Sequence, residues 1–129
     1  MHVKEIMKKV KTLREDVSLR DAAKFMADNA ISCVVIMDGD EMKGIVTERD
    51  VLKQVSKDVK VLDKPVKEVM STEIITISSD SYIDDAAELM TKHKIKKLPV
   101  LEDGKLVGII TTTDLVSNAE DFNEFSVFS

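Results

Sequence analysis

The feature that most limits how this chain can fold is that it contains itself twice. Gly44-Ile45-Val46-Thr47-Glu48-Arg49-Asp50 returns as Gly108-Ile109-Ile110-Thr111-Thr112-Thr113-Asp114, an offset of 64 (108 minus 44). The same offset pairs Thr12 with Thr76, Asp16 with Asp80, and Asp21-Ala22-Ala23 with Asp85-Ala86-Ala87. It also pairs Met26 with Met90 and Ile31 with Ile95. Residues 12–51 and 76–115 thus share 11 identities in 40 positions, where ordinary composition gives roughly two or three by chance. Upstream, Ile6-Met7 matches Val69-Met70 after a slip of one residue. Shared amphipathic patterning alone would not also repeat Gly, Thr and Asp. The chain therefore reads as two copies of a unit of about sixty residues.

Each repeated stretch reads as a strand that ends on a hydroxyl and enters a helix with a carboxylate in its first turn. A helix start presents unpaired N–H groups and the positive end of the macrodipole. An anion can dock there. The carboxylate three residues past the Thr can instead cap the helix or accept hydrogen bonds from sugar hydroxyls. The glycine suits a close approach by a ligand or a neighbouring backbone.

With 129 residues, the chain suffices for one shared core, whereas each half alone would be marginal. The net charge of −5 disfavours non-specific nucleic-acid binding through a basic face. Cys33 is the only cysteine, so it has no disulfide partner within a monomer and suits a buried thiol. His2 and His93 lack metal-ligand spacing. No apolar run reaches membrane-spanning length and no signal-peptide core precedes the repeats. A soluble, cytoplasmic protein is expected.

In chain order, residues 3–7 read as a helical turn with Ile6 and Met7 inward, followed by an extended piece from Val10 to Leu13. Ser18 caps a helix to about Asn29, with Leu19, Ala22, Ala23 and Met26 on one face. Ile31–Met37 reads as a buried strand, Asp38–Glu41 as a hairpin turn, Met42–Thr47 as a strand, and Asp50 to about Lys57 as a helix. Asp58–Pro65 is the linker. The second copy begins with the turn Val66–Met70 and the strand Ile74–Ile77. Ser81 is expected to cap a helix carrying Ile83, Ala86, Ala87 and Met90. Strands at 98–101 and 106–111, joined at Asp103-Gly104, lead to a last helix from Asp114 to about Ala119. Pro99 requires a position where no ladder N–H is needed. The expected divisions are 1–60, 61–119 and a tail, 120–129, whose Phe122, Phe125 and Phe128 suit a strap over the core or a dimer partner, or else a docking peptide.

A tandem β-α-β-β-α pair with a lead-in ending in Met, an apolar-Pro-Val strand and a closing Gly-apolar-apolar-Thr-x-x-Asp resembles a stand-alone cystathionine β-synthase (CBS) domain pair. The resemblance covers roughly Val3 to Val116. It implies an α+β fold with two repeats packed about a pseudo-twofold axis. It further implies two inter-repeat clefts for adenosine-containing ligands such as AMP, ADP, ATP or S-adenosylmethionine. By that resemblance Asp holds the ribose hydroxyls and Thr reaches ribose or phosphate. One cleft would draw on Thr111, Thr113 and Asp114 facing Lys11, Ile31, Ser32 and Cys33. The other would draw on Thr47, Arg49 and Asp50 facing Ile74, Ile75, Ile95, Lys96 and Lys97. Cys33-Val34-Val35 departs from the family pattern by lacking the proline of Leu98-Pro99-Val100.

No P-loop and no Ser-His-Asp set is present, so binding rather than catalysis is expected. The resemblance implies a regulatory module acting on a separate protein, without a cofactor of its own. A ligand-independent dimerisation scaffold is the alternative. A homodimer is expected, with the Leu19/Ala22/Ala23/Met26 and Ile83/Ala86/Ala87/Met90 faces as candidates. Arg49, Lys96 and Lys97 would make the Asp50 cleft the one that favours phosphate-rich ligands. Replacing Lys96 and Lys97 by Ala should weaken ADP and ATP binding more than adenosine binding, as read by titration calorimetry. Equal losses would refute the charge argument.

Overall fold

Hydrogen-bonded pairing divides the chain differently from its repeats. The computed structural model describes residues 1–118, so the tail 120–129 with its phenylalanines lies outside the described residues. The elements are α1 (Val3–Ile6), β1 (Thr12–Arg14), α2 (Leu19–Asp28), β2 (Cys33–Asp38), β3 (Glu41–Thr47), α3 (Glu48–Lys57), β4 (Ile77–Ser78), α4 (Ile83–His93), β5 (Lys97–Glu102), β6 (Lys105–Thr111) and α5 (Thr112–Ser117). Two short 3-10 helices, Val59–Asp63 and Val66–Glu68, lie between α3 and β4. The elements form two compact units. One is contiguous, Lys11–Ile74; the other is split, joining Met1–Val10 to the chain from Ile75 onward. The split follows neither 1–60 nor 61–119.

In the contiguous unit β1 pairs parallel with β2, and β2 antiparallel with β3. The parallel pair needs a crossover, and α2 supplies it. Ser18 Oγ accepts the Asp21 N–H at 3.0 Å, as the sequence suggests. Leu19, Ala22 and Met26 are buried with Val34, Ile36 and Val46. At about 1.5–3 kcal/mol for each large side chain buried, this face holds α2 to its sheet. It is therefore not available for self-association, and the matching face of α4 is buried likewise. The helix ends at Asn29 with Ala30 in the left-handed region and Ile31 N–H bonded to Met26 O at 3.0 Å. Lys94 and Ile95 repeat this ending after α4.

The stretch read as a linker is packed. Val61 and Val66 are buried, Leu19 N–H donates to Lys64 O, and Val66 N–H donates to Val17 O. Its alternating apolar residues belong to this unit's core.

In the split unit β4 pairs parallel with β5, and β5 antiparallel with β6. Here β4 is shorter than the predicted strand 74–77. In the contiguous unit Thr12 pairs with Val35, whose N–H donates to Lys11 O. The matching position is Pro99, which has no N–H to give. The parallel ladder starts one residue later, at Ile77 opposite Val100. The start of α4 also shifts. Tyr82, not Ser81, stands at the cap, and its N–H donates to Asp85 Oδ2 at 3.1 Å. The turn Asp103-Gly104 has positive φ at both residues, which matches the twist of a hairpin.

The lead-in segment belongs to this split unit. Val3 is fully buried, while Ile6 and Met7, the residues expected to point inward, pack at the edge of the core. Lys8 pairs with Ile109 by two backbone bonds, at 2.8 and 3.0 Å. A Cβ on Gly108 would lie 2.7 Å from Met7 Sδ and 2.9 Å from Lys8 O. In the contiguous unit Ser71 pairs with Ile45 in the same way, and a Cβ on Gly44 would meet Met70 and Ser71 O. Gly108→Ala should thus destabilise the protein by about 1–3 kcal/mol, measured as a lower urea midpoint. An unchanged midpoint would show that the lead-in strand yields freely.

Candidate functional site

Thr47 and Thr111 each close a β-strand and cap the helix that follows. Thr47 Oγ1 accepts the Asp50 N–H at 3.1 Å, and Asp50 Oδ2 accepts the Thr47 N–H at 2.8 Å. Thr111 and Asp114 repeat this box at 3.3 and 2.8 Å, and Thr111 Oγ1 also donates to Asp114 Oδ2 at 3.0 Å. Such reciprocal pairs satisfy two orphan donors at once. Glu48 N–H donates to Ser32 O and Thr112 N–H to Lys96 O, both at 2.9 Å. The helix starts therefore have most of their first-turn donors occupied. Anion docking on bare backbone N–H groups is thereby narrowed to the remaining first-turn amide of each helix. These turns present a carboxylate, which calls for a hydrogen-bond donor.

The sequence-derived groups draw on both units, and within each unit the neighbours are these. In the contiguous unit Cys33 pairs with Thr47 across the sheet, with Ser32 and Ile31 immediately before it. All three are half-buried. Lys11 is exposed beside β2 through its carbonyl bond to Val35, Arg49 is exposed on α3, and Ile74 is half-buried at the end of the unit. In the split unit Lys97 pairs with Thr111, and Lys96 precedes it. Thr113 is exposed, while Ile75 and Ile95 pack at the edge of the core.

The two carboxylates differ. Asp50 is half-buried, and its side chain accepts from the Thr47 N–H. Asp114 is 4% exposed and has a further partner, the Lys8 ammonium, 3.1 Å from Oδ1. Lys8 was not among the expected site residues. The one-residue slip of the lead-in match sets Lys8 against Ser71. That substitution of a cation for a hydroxyl was the available signal, but nothing in the sequence tied residue 8 to residue 114. Among the described residues no cluster of three or more His, Cys, Asp or Glu could hold a metal, and no helix is long and apolar enough to cross a membrane.

The CBS domain family matches residues 3–57 and 66–121. The chain belongs to this family and carries two tandem copies of its domain. The crystal structure of a CBS-domain containing protein from Agrobacterium tumefaciens is similar at a TM-score of 0.85 and 30% identity, covering 92% of this chain and 99% of that one. The CBS domain pair of protein MJ0100, solved in complex with 5-methylthioadenosine and S-adenosyl-L-methionine, is similar at 0.84 and 30%, covering 94% and 97%. An uncharacterised Methanocaldococcus jannaschii protein, MJ1232, is 36% identical over 111 residues, 85% of this chain. The chain spans only 36% of that relative's length.

The capping boxes carry a stability cost that any binding study must separate. Asp114→Ala should destabilise by about 1–3 kcal/mol, because it removes a buried acceptor from Thr111 and Lys8. Asp50→Ala should cost about 0.5–1 kcal/mol. Urea denaturation reads both, and the reverse order would contradict the difference in burial.

Proposed function

We propose that the chain is an adenine-nucleotide-binding regulatory module. Its ligand class is AMP, ADP, ATP or S-adenosylmethionine, and it acts on a separate protein. One observation carries this reading: each unit ends a strand in the same Thr-x-x-Asp box, with a carboxylate that retains acceptor capacity. A carboxylate has about four acceptor sites, and a vicinal diol, as in ribose, supplies two donors to such a group. The half-buried Ile31, Ile95 and Ile75 offer apolar area suited to a base, and Thr113, Arg49, Lys11, Lys96 and Lys97 offer polar or charged partners for the rest of the ligand. The adenosine compounds bound by the MJ0100 pair support the ligand class. A ligand that favours one conformation over another shifts the population toward it, and a partner protein reads that shift.

Self-association fits the exposed apolar residues Leu52 on α3 and Val116 on α5, which stand at matching repeat positions. A dimerisation scaffold without a ligand is the second reading, and this exposed pair is what favours it.

Titration of nucleotide-stripped protein with AMP, ADP, ATP and S-adenosylmethionine tests the proposal. Micromolar binding of at least one, lost in Asp50→Ala or Asp114→Ala while the fold persists, is expected. A folded dimer silent to all four would favour the scaffold.

A further inference from the structure

We propose that Lys8 is a specificity-determining residue. It makes binding at Asp114 selective for adenosine ligands that carry a phosphate over those that are neutral or cationic. The inference rests on the proposed role of Asp114 as a diol acceptor and names the ligand charge it demands.

The Asp114 carboxylate has few acceptor sites to spare. Asp114 Oδ2 already accepts from Thr111 N–H and Thr111 Oγ1. Oδ1 faces the Lys8 ammonium. Three of about four acceptor sites are then occupied. A diol that donates twice must displace one partner. The Thr111 bonds are part of the helix cap, so the side chain that can leave is Lys8. It is 63% exposed, while the carboxylate it faces is 4% exposed. The ammonium can swing into water at small cost, but a nearly buried carboxylate loses its counter-charge.

Ligand charge decides what happens next. A neutral nucleoside breaks the ion pair and gives Lys8 nothing in return. A phosphate on the same ribose re-engages the ammonium through a charge-assisted bond. A sulfonium would be repelled. Asp50 has no such device, since Ser71 stands where Lys8 does. The backbone that positions Lys8 is independent of its side chain: its N–H and carbonyl pair with Ile109. Lys8→Ser therefore preserves the strand while copying the other unit.

The test compares adenosine, AMP and S-adenosylmethionine by calorimetry in an Asp50→Ala background, with and without Lys8→Ser. With Lys8 in place, AMP should bind about tenfold or more tightly than adenosine, as one charge-assisted bond implies. Lys8→Ser should tighten adenosine, weaken AMP and cut their ratio about tenfold, and Lys8→Arg should restore it. An unchanged ratio alongside clear nucleotide binding would overturn the role of Lys8 alone. If Asp50→Ala abolishes all binding, Asp114 is no site and the inference fails with it. Silence of the unmutated protein toward every ligand would overturn the nucleotide reading itself.

Discussion

A methionine laid across a glycine organises each unit. Met7 lies over Gly108 and Met70 over Gly44, at distances that leave no room for a Cβ. The contact brings a second backbone against the strand, where Lys8 pairs with Ile109 and Ser71 with Ile45. Beside each glycine the ladder slips by one residue, Ile36 and Met37 facing Gly44 and Met42, Val100 and Leu101 facing Gly108 and Leu106. Such a bulge bends the strand and increases its twist. The strand then runs on to Thr47 or Thr111. The lead-in segment, the bend and the capped carboxylate are thus linked through one missing side chain.

Much of this was legible in the sequence because local chemistry and repetition agreed. Ser18 with Asp21, the helical faces of α2 and α4, the hairpin turns and the Thr-x-x-Asp boxes are short-range signals, and each occurs where its pattern points. The departures have identifiable physical causes. Pro99 withheld one ladder bond and shortened β4. Ser81 resembled a cap, but Tyr82 is the residue that matches Ser18. The stretch 58–65 was polar enough to read as a linker, yet Val61 found a place in the core. The periodicity of the alanine faces shows that each face is buried without showing what buries it, and the sheet of the same unit does. Lys8 was missed for a related reason: its partner lies far along the chain, and no local pattern reports such a contact.

Repetition also conceals differences. The two carboxylates are identical in the alignment and share the reciprocal capping box, yet one is half-buried with a single backbone partner and the other is almost wholly buried, accepts a further bond from Thr111 Oγ1 and faces an ammonium. A duplicated unit can diverge in electrostatics through one substitution on a segment outside its own motif. The box supplies the acceptor, and the segment packed beside it sets the charge.

The split unit also has a consequence for synthesis. Lys11–Ile74 is continuous, so its pairings can form while later residues are still being made. Met1–Val10 is made before that stretch but finds its strand only when Ile109 arrives. Until then Val3, Ile6 and Met7 remain unpacked, and the loop that must close is nearly the length of the described chain. Val3, Ile6 and Met7 are thus made long before the strand they pack with, and the Lys8–Asp114 pair can form only after residue 114 has been added.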